Sequence, residues 1–501
     1  MRITVLVGAS ALIAAAAFSP AQAEVPNDRE TLALASRIDN NSFDRAELAI
    51  GNQVQFWQPV FDTLIIQKPD GSFGPGLATE WSYNADATAL TLTLRQGVRF
   101  TDGAPFDANA VKANLEYLAA GAGPNGYMAR SISEIKVISD TQVQLILAEP
   151  DPAMLWNLST VGGAMASPAS LGAAGSDTAP VGSGPYVFDA AASVQGSQYV
   201  YNRNPEYWDT AAFPFDRVTV TPLTDNAARM NAIFAGQVDG AIGDSRVVAE
   251  SEAKGFTVTF GDIDWAGITL ADRKGAIAPP LADVRVRQAI NLAFDTASIL
   301  KFVDLGHGKL SDQIFPEGNG AYDPALEDRY PYDPEKARSL LAEAGYPDGF
   351  DLVFPEVRPF AAFYPIVQQQ LADIGIRATF EALPPGSALP VLRSGKYAAF
   401  VFNFGSANAW TDFQQYLTTN APYNTAKVDD PVLTELVRKA QFATGEAQLE
   451  AFREVNRHVV ENAYFAPWYR RFAVYVSGKD ITVQSQPGNI VPYLRNYGIA
   501  R

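Results

Sequence analysis

Hydrophobic and polar residues follow two different patterns along the chain, and segments of the two kinds alternate. Residues 89–95 (Ala-Leu-Thr-Leu-Thr-Leu-Arg) place a leucine at every second position, which predicts a half-buried strand. Asp107–Leu118 instead spaces its apolar residues along one face of a helix, behind an Asp suited to cap that helix. Because strand-like and helix-like segments alternate throughout, the sequence predicts the α/β class of fold.

Further segments of both kinds can be placed on the chain. Residues 31–35, 136–138 and 142–147 predict strands, and Lys68–Gly71 predicts the turn of a hairpin. A helix is predicted over residues 46–64, where apolar residues recur at helical spacing. Further helices are predicted over residues 225–236, 283–294, 333–344, 363–374, 430–441 and 446–462.

The first residues carry the features of an export signal. Arg2 precedes the apolar stretch 3–18, and Ala21-Gln22-Ala23 fits the small-x-small pattern that signal peptidase recognises. The apolar stretch is shorter than the roughly 20 residues that a membrane span needs. We therefore predict a signal peptide over residues 1–23, cleavage near Ala23, and a soluble, periplasmic mature protein.

Composition narrows the class of protein further. The chain has 501 residues, a net charge of −17 and no cysteine. An acidic chain is a poor partner for nucleic acid, which favours clustered Lys and Arg. Without cysteine there is no disulfide, no thiol chemistry and no lipid-modified N-terminal Cys. The length corresponds to about three domains.

Motifs of enzymes and of cofactor sites are missing from the sequence. It has no G-x-S-x-G motif and only two histidines, His307 and His458, which lie far apart. Gly121–Gly126 matches G-x-G-x-x-G, but its fourth residue is Pro and no helix start follows, so we predict a loop. We therefore expect a protein that is not an enzyme and has neither cofactor nor metal. A secreted hydrolase that uses two carboxylates is the remote alternative.

Several short blocks, in order along the chain, resemble one known family. The blocks are residues 60–64 (Val-Phe-Asp-Thr-Leu), 70–71, 76–81, 94–100 with 101–105, 181–186 (Val-Gly-Ser-Gly-Pro-Tyr), 204–208, 283–289, and 332–337 with 341–345. In this the chain is similar to the bacterial extracytoplasmic solute-binding proteins of the peptide, nickel and oligosaccharide type, called family 5. We expect most of these residues to serve the scaffold, with Gly182 and Gly184 fixing a turn and Arg285 and Arg287 serving local packing and ion pairs.

The resemblance implies a two-lobed periplasmic binding protein fold, type II and cluster C-like, with an extra domain inserted in the first lobe. The expected limits are 24–64, 178–262 and 472–501 for lobe I, 65–177 for the inserted domain, and 263–471 for lobe II. The chain is expected to cross between lobes near residues 261–267 and 467–475. The resemblance also implies a monomer that closes on a small ligand and delivers it to the permease subunits of an ABC importer.

The resemblance places the ligand site between the lobes. In peptide-binding members, a lobe II carboxylate pairs with the ligand's ammonium group. Here the corresponding stretch includes Asn403, Asn408, Trp410 and Asp412, with Asn408 at the position of that carboxylate and Asp412 as its substitute if the loop is shifted. An Asn offers a dipole where a charge is expected, so a buried ammonium would lack a counter-ion.

The other wall of the site is expected to come from lobe I and the inserted domain. Lobe I would contribute Asn52, Gln53, Phe56 and Trp57, and the inserted domain Tyr127 and Arg130. A peptide or peptide-like solute is the expected ligand, and an oligosaccharide or opine-like conjugate, stacked on Trp57 and Trp410, is the alternative. Nickel is disfavoured because His307 and His458 lie outside these segments.

Overall fold

The structure, a computed structural model, describes residues 30–384 and 387–500. The predicted signal peptide and its cleavage site near Ala23 lie outside this part of the chain. Within the described residues no helix is both long and apolar enough to cross a membrane.

Nineteen strands and fourteen α-helices form the described part of the chain. The strands are β1 Thr31–Ser36, β2 Ile65–Gln67, β3 Phe73–Pro75, β4 Ala78–Tyr83, β5 Ala89–Leu94, β6 Ile132–Ser139, β7 Gln142–Leu147, β8 Tyr186–Phe188, β9 Tyr199–Arg203, β10 Arg217–Pro222, β11 Gly240–Gly243, β12 Thr257–Leu270, β13 Gly308–Leu310, β14 Phe350–Glu356, β15 Ile376–Ala382, β16 Ala399–Gly405, β17 Phe465–Ser477, β18 Ile481–Val483 and β19 Tyr497–Ile499. The helices are α1 Val54–Trp57, α2 Ala108–Ala120, α3 Tyr127–Arg130, α4 Met154–Ser159, α5 Asn226–Phe234, α6 Val248–Ala253, α7 Val284–Leu292, α8 Thr296–Val303, α9 Pro334–Glu343, α10 Tyr364–Ala372, α11 Ala388–Arg393, α12 Ala409–Tyr416, α13 Pro431–Phe442 and α14 Gly445–Glu461.

The alternation of strands and helices confirms the predicted α/β class. The predicted strand 89–95 is β5, which pairs with β4 and β7 in a four-stranded antiparallel sheet. The predicted helix that begins at Asp107 is α2, and the Asp107 carboxylate accepts the Ala110 amide at 2.9 Å. Helices α5, α7, α9, α10, α13 and α14 lie where the apolar spacing predicts them.

The helix predicted over residues 46–64 is wrong. A 3-10 turn at Gly51–Gln53 and the single-turn helix α1 are all that forms there. Gly51 has φ of +76°, in the left-handed region that interrupts a right-handed helix. This irregular segment is buried on several sides. Its apolar residues therefore recur at intervals that resemble those of an amphipathic helix.

One nine-stranded sheet joins the two halves of the molecule. Its order is β16-β12-β17-β11-β1-β10-β9-β8, with β13 also paired to β17. The long strands β12 and β17 are antiparallel over most of their length, and their register shifts between Asp262 and Asp264. The first part of β12 pairs with β17 alone, whereas residues 264–270 also pair with β16. The segments where we predict crossings between lobes, 261–267 and 467–475, lie within these two strands.

The buried apolar residues separate into groups that follow the chain. One group spans Trp265–Tyr469 and another Leu64–Met165. A third combines residues from Leu32–Phe61, Tyr186–Val220 and Tyr475–Tyr497, among others. A smaller group around α5, α6 and β11 completes the described core. Each large group is a separate hydrophobic core, which supports the proposed lobe I, inserted domain and lobe II, whose limits stay a prediction.

The family blocks hold the scaffold together, as predicted. Asp62, which is buried, accepts hydrogen bonds from the Tyr207 hydroxyl at 2.8 Å and the Trp208 indole at 2.9 Å. Its burial raises the pKa of the Asp62 carboxyl to about 6. A Cβ on Gly182 would lie 2.1 Å from the Val60 carbonyl oxygen, so this crossing of two blocks requires glycine.

The paired arginines also serve local structure. The Arg285 guanidinium binds the Asp283 carboxylate at 2.6 Å, beside the start of α7. Arg287 is buried and donates to the carbonyl oxygens of Asn462 and Leu281, at 2.9 and 2.7 Å. Arg287 therefore ties α7 to the end of α14 through hydrogen bonds to backbone carbonyl oxygens, so its role is local packing.

Candidate functional site

One interlobe space, which we call the main cavity, has a volume of about 490 Å³. It lies where the inserted domain, the C-terminal part of lobe I and lobe II meet. Its walls are formed by residues between 67 and 87, 150–156, Asp262, 316–319, 406–410, residues between 441 and 452, and 485–488. Sequence segments separated by several hundred residues thus enclose one space of the size that small ligands occupy.

A second space, the hinge-side cavity, has a volume of about 330 Å³ and lies next to the strand irregularity at Ile263. It shares Ser406, Ala407 and Gly488 with the main cavity. A Cβ on Gly488 would lie 3.1 Å from the Ala407 carbonyl oxygen, and Gly488 has φ of +71°. The contact between Ala407 of lobe II and Gly488 of lobe I therefore separates the two cavities and depends on glycine.

Asp412 lines the hinge-side cavity, but its carboxyl already accepts hydrogen bonds from neighbouring residues. Its side chain is 1% exposed and accepts from the Ala407 amide at 3.1 Å, from the Asn319 amide at 3.0 Å and from the Ser406 hydroxyl. Burial outweighs these hydrogen bonds and raises the pKa of the Asp412 carboxyl to about 7. The carboxyl thus fixes the loop before α12 against Asn319.

Asn408 and Trp410 line the main cavity from lobe II. Asn408 caps α12: its side-chain oxygen accepts the Thr411 amide at 3.0 Å and its nitrogen donates to the Thr411 hydroxyl at 2.9 Å. Both polar atoms of its amide are therefore engaged within the loop. Trp410 separates the main cavity from a third, more open space of about 600 Å³, the outer cavity. Asn403 lines the hinge-side cavity, and its buried side-chain oxygen has no hydrogen-bond partner within the described chain.

The predicted lobe I residues lie in the core and not in the cleft. Phe56 is fully buried, with its ring centroid 5.0 Å from that of Tyr199. Trp57 is 1% exposed, and its indole donates to the Ala49 carbonyl at 2.9 Å. Their aromatic side chains supply buried area, which sequence alone does not distinguish from a stacking surface.

Asn52 and Gln53 are likewise buried residues, and neither lines the main, hinge-side or outer cavity. The Gln53 amide donates to the Asp39 carbonyl at 2.9 Å. Their neighbours Ile50 and Gly51 line the hinge-side cavity instead. Within this predicted segment, the residues that border the cleft are thus Ile50 and Gly51, and Asn52 and Gln53 pack behind them.

The two predicted residues of the inserted domain are separated by the structure. Tyr127 lines the outer cavity and is 44% exposed. Arg130 donates to the Gly121 carbonyl at 3.2 Å, at the end of α2, and lines none of the three cavities. Arg130 therefore supports the loop 121–126, because its charge lies over the orphan carbonyls of a helix end.

Sequence reasoning missed several polar residues of the cleft. Asp151, Asp262 and Glu317 line the main cavity, together with a set of amide side chains: Gln67, Asn319, Gln441, Gln448 and Gln486. Asp262 is paired with the buried Arg470 at 2.8 Å. Asp151 lies in a Pro-Asp-Pro segment at 150–152, a pattern that indicates a turn and gives no sign of a site.

Neither histidine belongs to the cleft. The His307 ring stacks on that of Phe260, with the two centroids 5.4 Å apart. The Nε2 atom of His458 lies 2.8 Å from the Asp430 carboxylate. Among the residues that the structure describes, no group of three or more His, Asp or Glu side chains could hold a metal ion.

Two core-bearing lobes around a solvent-connected cleft define the class of solute-binding proteins. The sequence profile of the bacterial extracellular solute-binding proteins, family 5 Middle, matches residues 72–425. The chain belongs to this family, as the ordered blocks indicated.

Comparisons with individual proteins agree with this assignment. The glutathione-binding protein GsiB of Salmonella paratyphi A is 31% identical over 324 residues, which are 62% of this chain and 61% of the relative. The match thus spans about three-fifths of the relative's length. HbpA2 from Haemophilus parasuis has a TM-score of 0.84 at 22% identity, covering 94% of this chain and 100% of that one. AgaA of A. tumefaciens R10, solved with agropinic acid, has a TM-score of 0.73 at 24% identity, covering 94% and 99%.

Proposed function

We propose that this protein is the periplasmic substrate-binding component of an ABC importer, and that it captures a peptide or peptide-like small solute. The observation that carries the proposal is the main cavity of about 490 Å³, whose walls come from both lobes and the inserted domain. A ligand held there contacts several independently packed bodies at once, so its binding energy favours their closed arrangement.

The chemistry of the walls suits a ligand with peptide groups. Amide side chains such as Asn319, Gln441 and Gln486 carry both a donor and an acceptor, which matches the backbone of a peptide. Aromatic rings of Tyr83 and Trp410 line the same space and offer apolar surface to side chains. The relative GsiB is named for glutathione, a peptide-like solute, which supports the same class of ligand.

The strand pair β12 and β17 is the element on which the lobes would move. Its register shifts at two places, between Asp262 and Asp264 and between Ala266 and Gly267. Such irregularities bend strands locally, so rotation there leaves the cores of both lobes intact. We expect the closed form of a monomer to be what the permease subunits recognise.

Thermal unfolding with a ligand panel tests the proposal. The panel holds glutathione, di- to pentapeptides, cello-oligosaccharides and opines. A ligand at about 100 times its Kd adds about 2.7 kcal/mol to the free energy of unfolding. We expect a stabilising shift with peptides or glutathione. A shift with sugars or opines alone would show that the ligand is not a peptide. Release of a modified product would support a hydrolase instead.

A further inference from the structure

The walls of the interlobe space carry charge of one sign. The lining residues of the main, hinge-side and outer cavities, all within the described chain, include carboxylates and no Lys, Arg or His. The carboxylates are Glu149, Asp151, Asp262, Asp264, Glu317 and Asp412. Asp262 is paired with Arg470 and Glu317 with Lys309, Arg470 and Arg471 lie near Asp264, and Asp412 is saturated by hydrogen bonds. Glu149 and Asp151 are the two that have no ion pair within the described residues. A ligand that enters this space therefore meets an electrostatic potential that favours positive charge.

Asp151 differs from the other carboxylates because it lines both the main and the outer cavity. Its carboxylate accepts from the Ala153 amide at 3.0 Å and the Ser131 hydroxyl at 2.9 Å. No Lys, Arg or His of the described ranges forms an ion pair with it. Burial raises the pKa of the Asp151 carboxyl, as expected for a desolvated group without a counter-ion. A cation delivered by a ligand would supply that missing charge.

A second acceptor lies beside Asp151. Asn157 is 3% exposed and lines the outer cavity, and its side-chain oxygen has no hydrogen-bond partner within the described residues. Its amide nitrogen lies 3.5 Å from the Asp151 carboxylate. An unpaired buried acceptor next to a carboxylate calls for a donor with more than one N–H, which describes an ammonium group.

Aromatic rings complete this corner of the cleft. Tyr127 lines the outer cavity from the inserted domain, and Trp410 lines it from lobe II. Rings attract cations through their faces. Gln441 of lobe II donates to the Glu149 carboxylate at 3.3 Å and the Pro150 carbonyl at 3.1 Å. This bridge across the cleft holds the segment with Asp151 against lobe II.

We propose that Asp151, with Asn157, Tyr127 and Trp410, forms a subsite for a primary ammonium group of the ligand. The proposal rests on the proposed function and deepens it, because it assigns a positively charged ligand class and moves the ammonium contact from the lobe II loop to the inserted domain. A peptide N-terminus, a lysine side chain and an amino sugar all carry this group, so the experiment has to separate them.

Isothermal titration with charge-matched probes tests the subsite. The peptide series is Ala-Lys-Ala, Ala-Gln-Ala, Ala-Glu-Ala and N-acetyl-Ala-Lys-Ala, and the sugar series is glucosamine and glucose. We expect a preference of at least about tenfold, or about 1.4 kcal/mol, for the probe that keeps the ammonium occupying the subsite: Ala-Lys-Ala over Ala-Gln-Ala, Ala-Lys-Ala over its acetylated form, or glucosamine over glucose. Asp151→Asn keeps an acceptor for the Ala153 amide and should remove that preference. Asp140→Asn, on an exposed turn of the same domain, should keep it.

The outcomes separate this inference from the proposed function. A preference for Ala-Lys-Ala over its acetylated form assigns the subsite to the peptide N-terminus, and a preference for Ala-Lys-Ala over Ala-Gln-Ala assigns it to the lysine side chain. If only glucosamine binds, the peptide proposal fails while the ammonium subsite stands. Absence of all three preferences overturns the subsite, as does an unchanged preference in Asp151→Asn. Failure of every amine to bind at millimolar concentration overturns it too.

Discussion

The two walls of the cleft each present a buried or half-buried carboxyl, and the two groups are held in opposite ways. Asp412 in lobe II is fully enclosed, and three neighbouring donors satisfy it. Asp151 in the inserted domain is half-buried, faces two cavities and has an unpaired acceptor, Asn157, beside it. The comparison teaches that a carboxylate at the expected position in the sequence can serve the loop, while one at an unremarked position lines two cavities.

The largest expected effect is a loss of stability when Asp412 of lobe II is replaced. Asp412→Ala removes the acceptor that the Ala407 amide, Asn319 and Ser406 share, and leaves buried donors without partners. We expect the free energy of unfolding to fall by about 2–3 kcal/mol. Urea unfolding measures it. Asp151→Ala, made in parallel, should cost less because its site reaches solvent, and an equal or larger loss there would break the comparison.

The pH dependence of stability sharpens the same contrast. The folded pKa of Asp412, about 7, lies above the unfolded value of about 3.9, so the native state holds its proton more tightly. Stability from this group is therefore full below about pH 4 and falls as pH rises towards about 7. Asp412→Asn cannot ionise, so the stability difference between wild type and variant should change by about 2 kcal/mol from about pH 5 to about pH 7. A constant difference over that range would contradict the raised pKa that burial gives this carboxyl.

The contact between the walls is tested at Gly488. Gly488→Ala places a methyl group 3.1 Å from the Ala407 carbonyl oxygen, in addition to the strain of its positive φ. Gly306→Ala is a matched control, because Gly306 has φ of +86° and no atom within 4 Å of an added Cβ. Both should lose about 1 kcal/mol to backbone strain, and the Gly488 variant should also bind ligand more weakly. Equal ligand affinity in the two variants would show that this contact plays no part in closure.

The smallest expected effect is on the stability of the protein when Asp151 of the inserted domain is replaced. Asp151→Asn keeps the size of the side chain and an oxygen acceptor for the Ala153 amide. The free energy of unfolding without ligand should change by no more than about 0.5 kcal/mol. Chemical denaturation without and with the tightest probe measures both states. A large loss without ligand would show that Asp151 is structural, like Asp412.

The fold was largely predictable because its signals are local or ordered along the chain. The period of two in β5 and the Asp caps of α2 and α7 are decided by neighbouring residues. The cleft was predictable only in part: Asn408 and Trp410 line the main cavity as predicted, whereas Asp151 was missed because it lies about half the chain away from them and meets them only where two domains come together. The failure at residues 46–64 has the same origin, since tertiary burial placed apolar residues at a spacing that a helix also uses.

The most direct test of the account is a crystal structure with the tightest-binding member of the ligand panel. We predict electron density in the main cavity, with contacts to Trp410 or Asn319 of lobe II and to the inserted domain at Asp151. Those contacts would join the two walls through one small molecule. A ligand bound outside this cavity, or one that touches a single wall while the lobes stay apart, would contradict capture by interlobe closure.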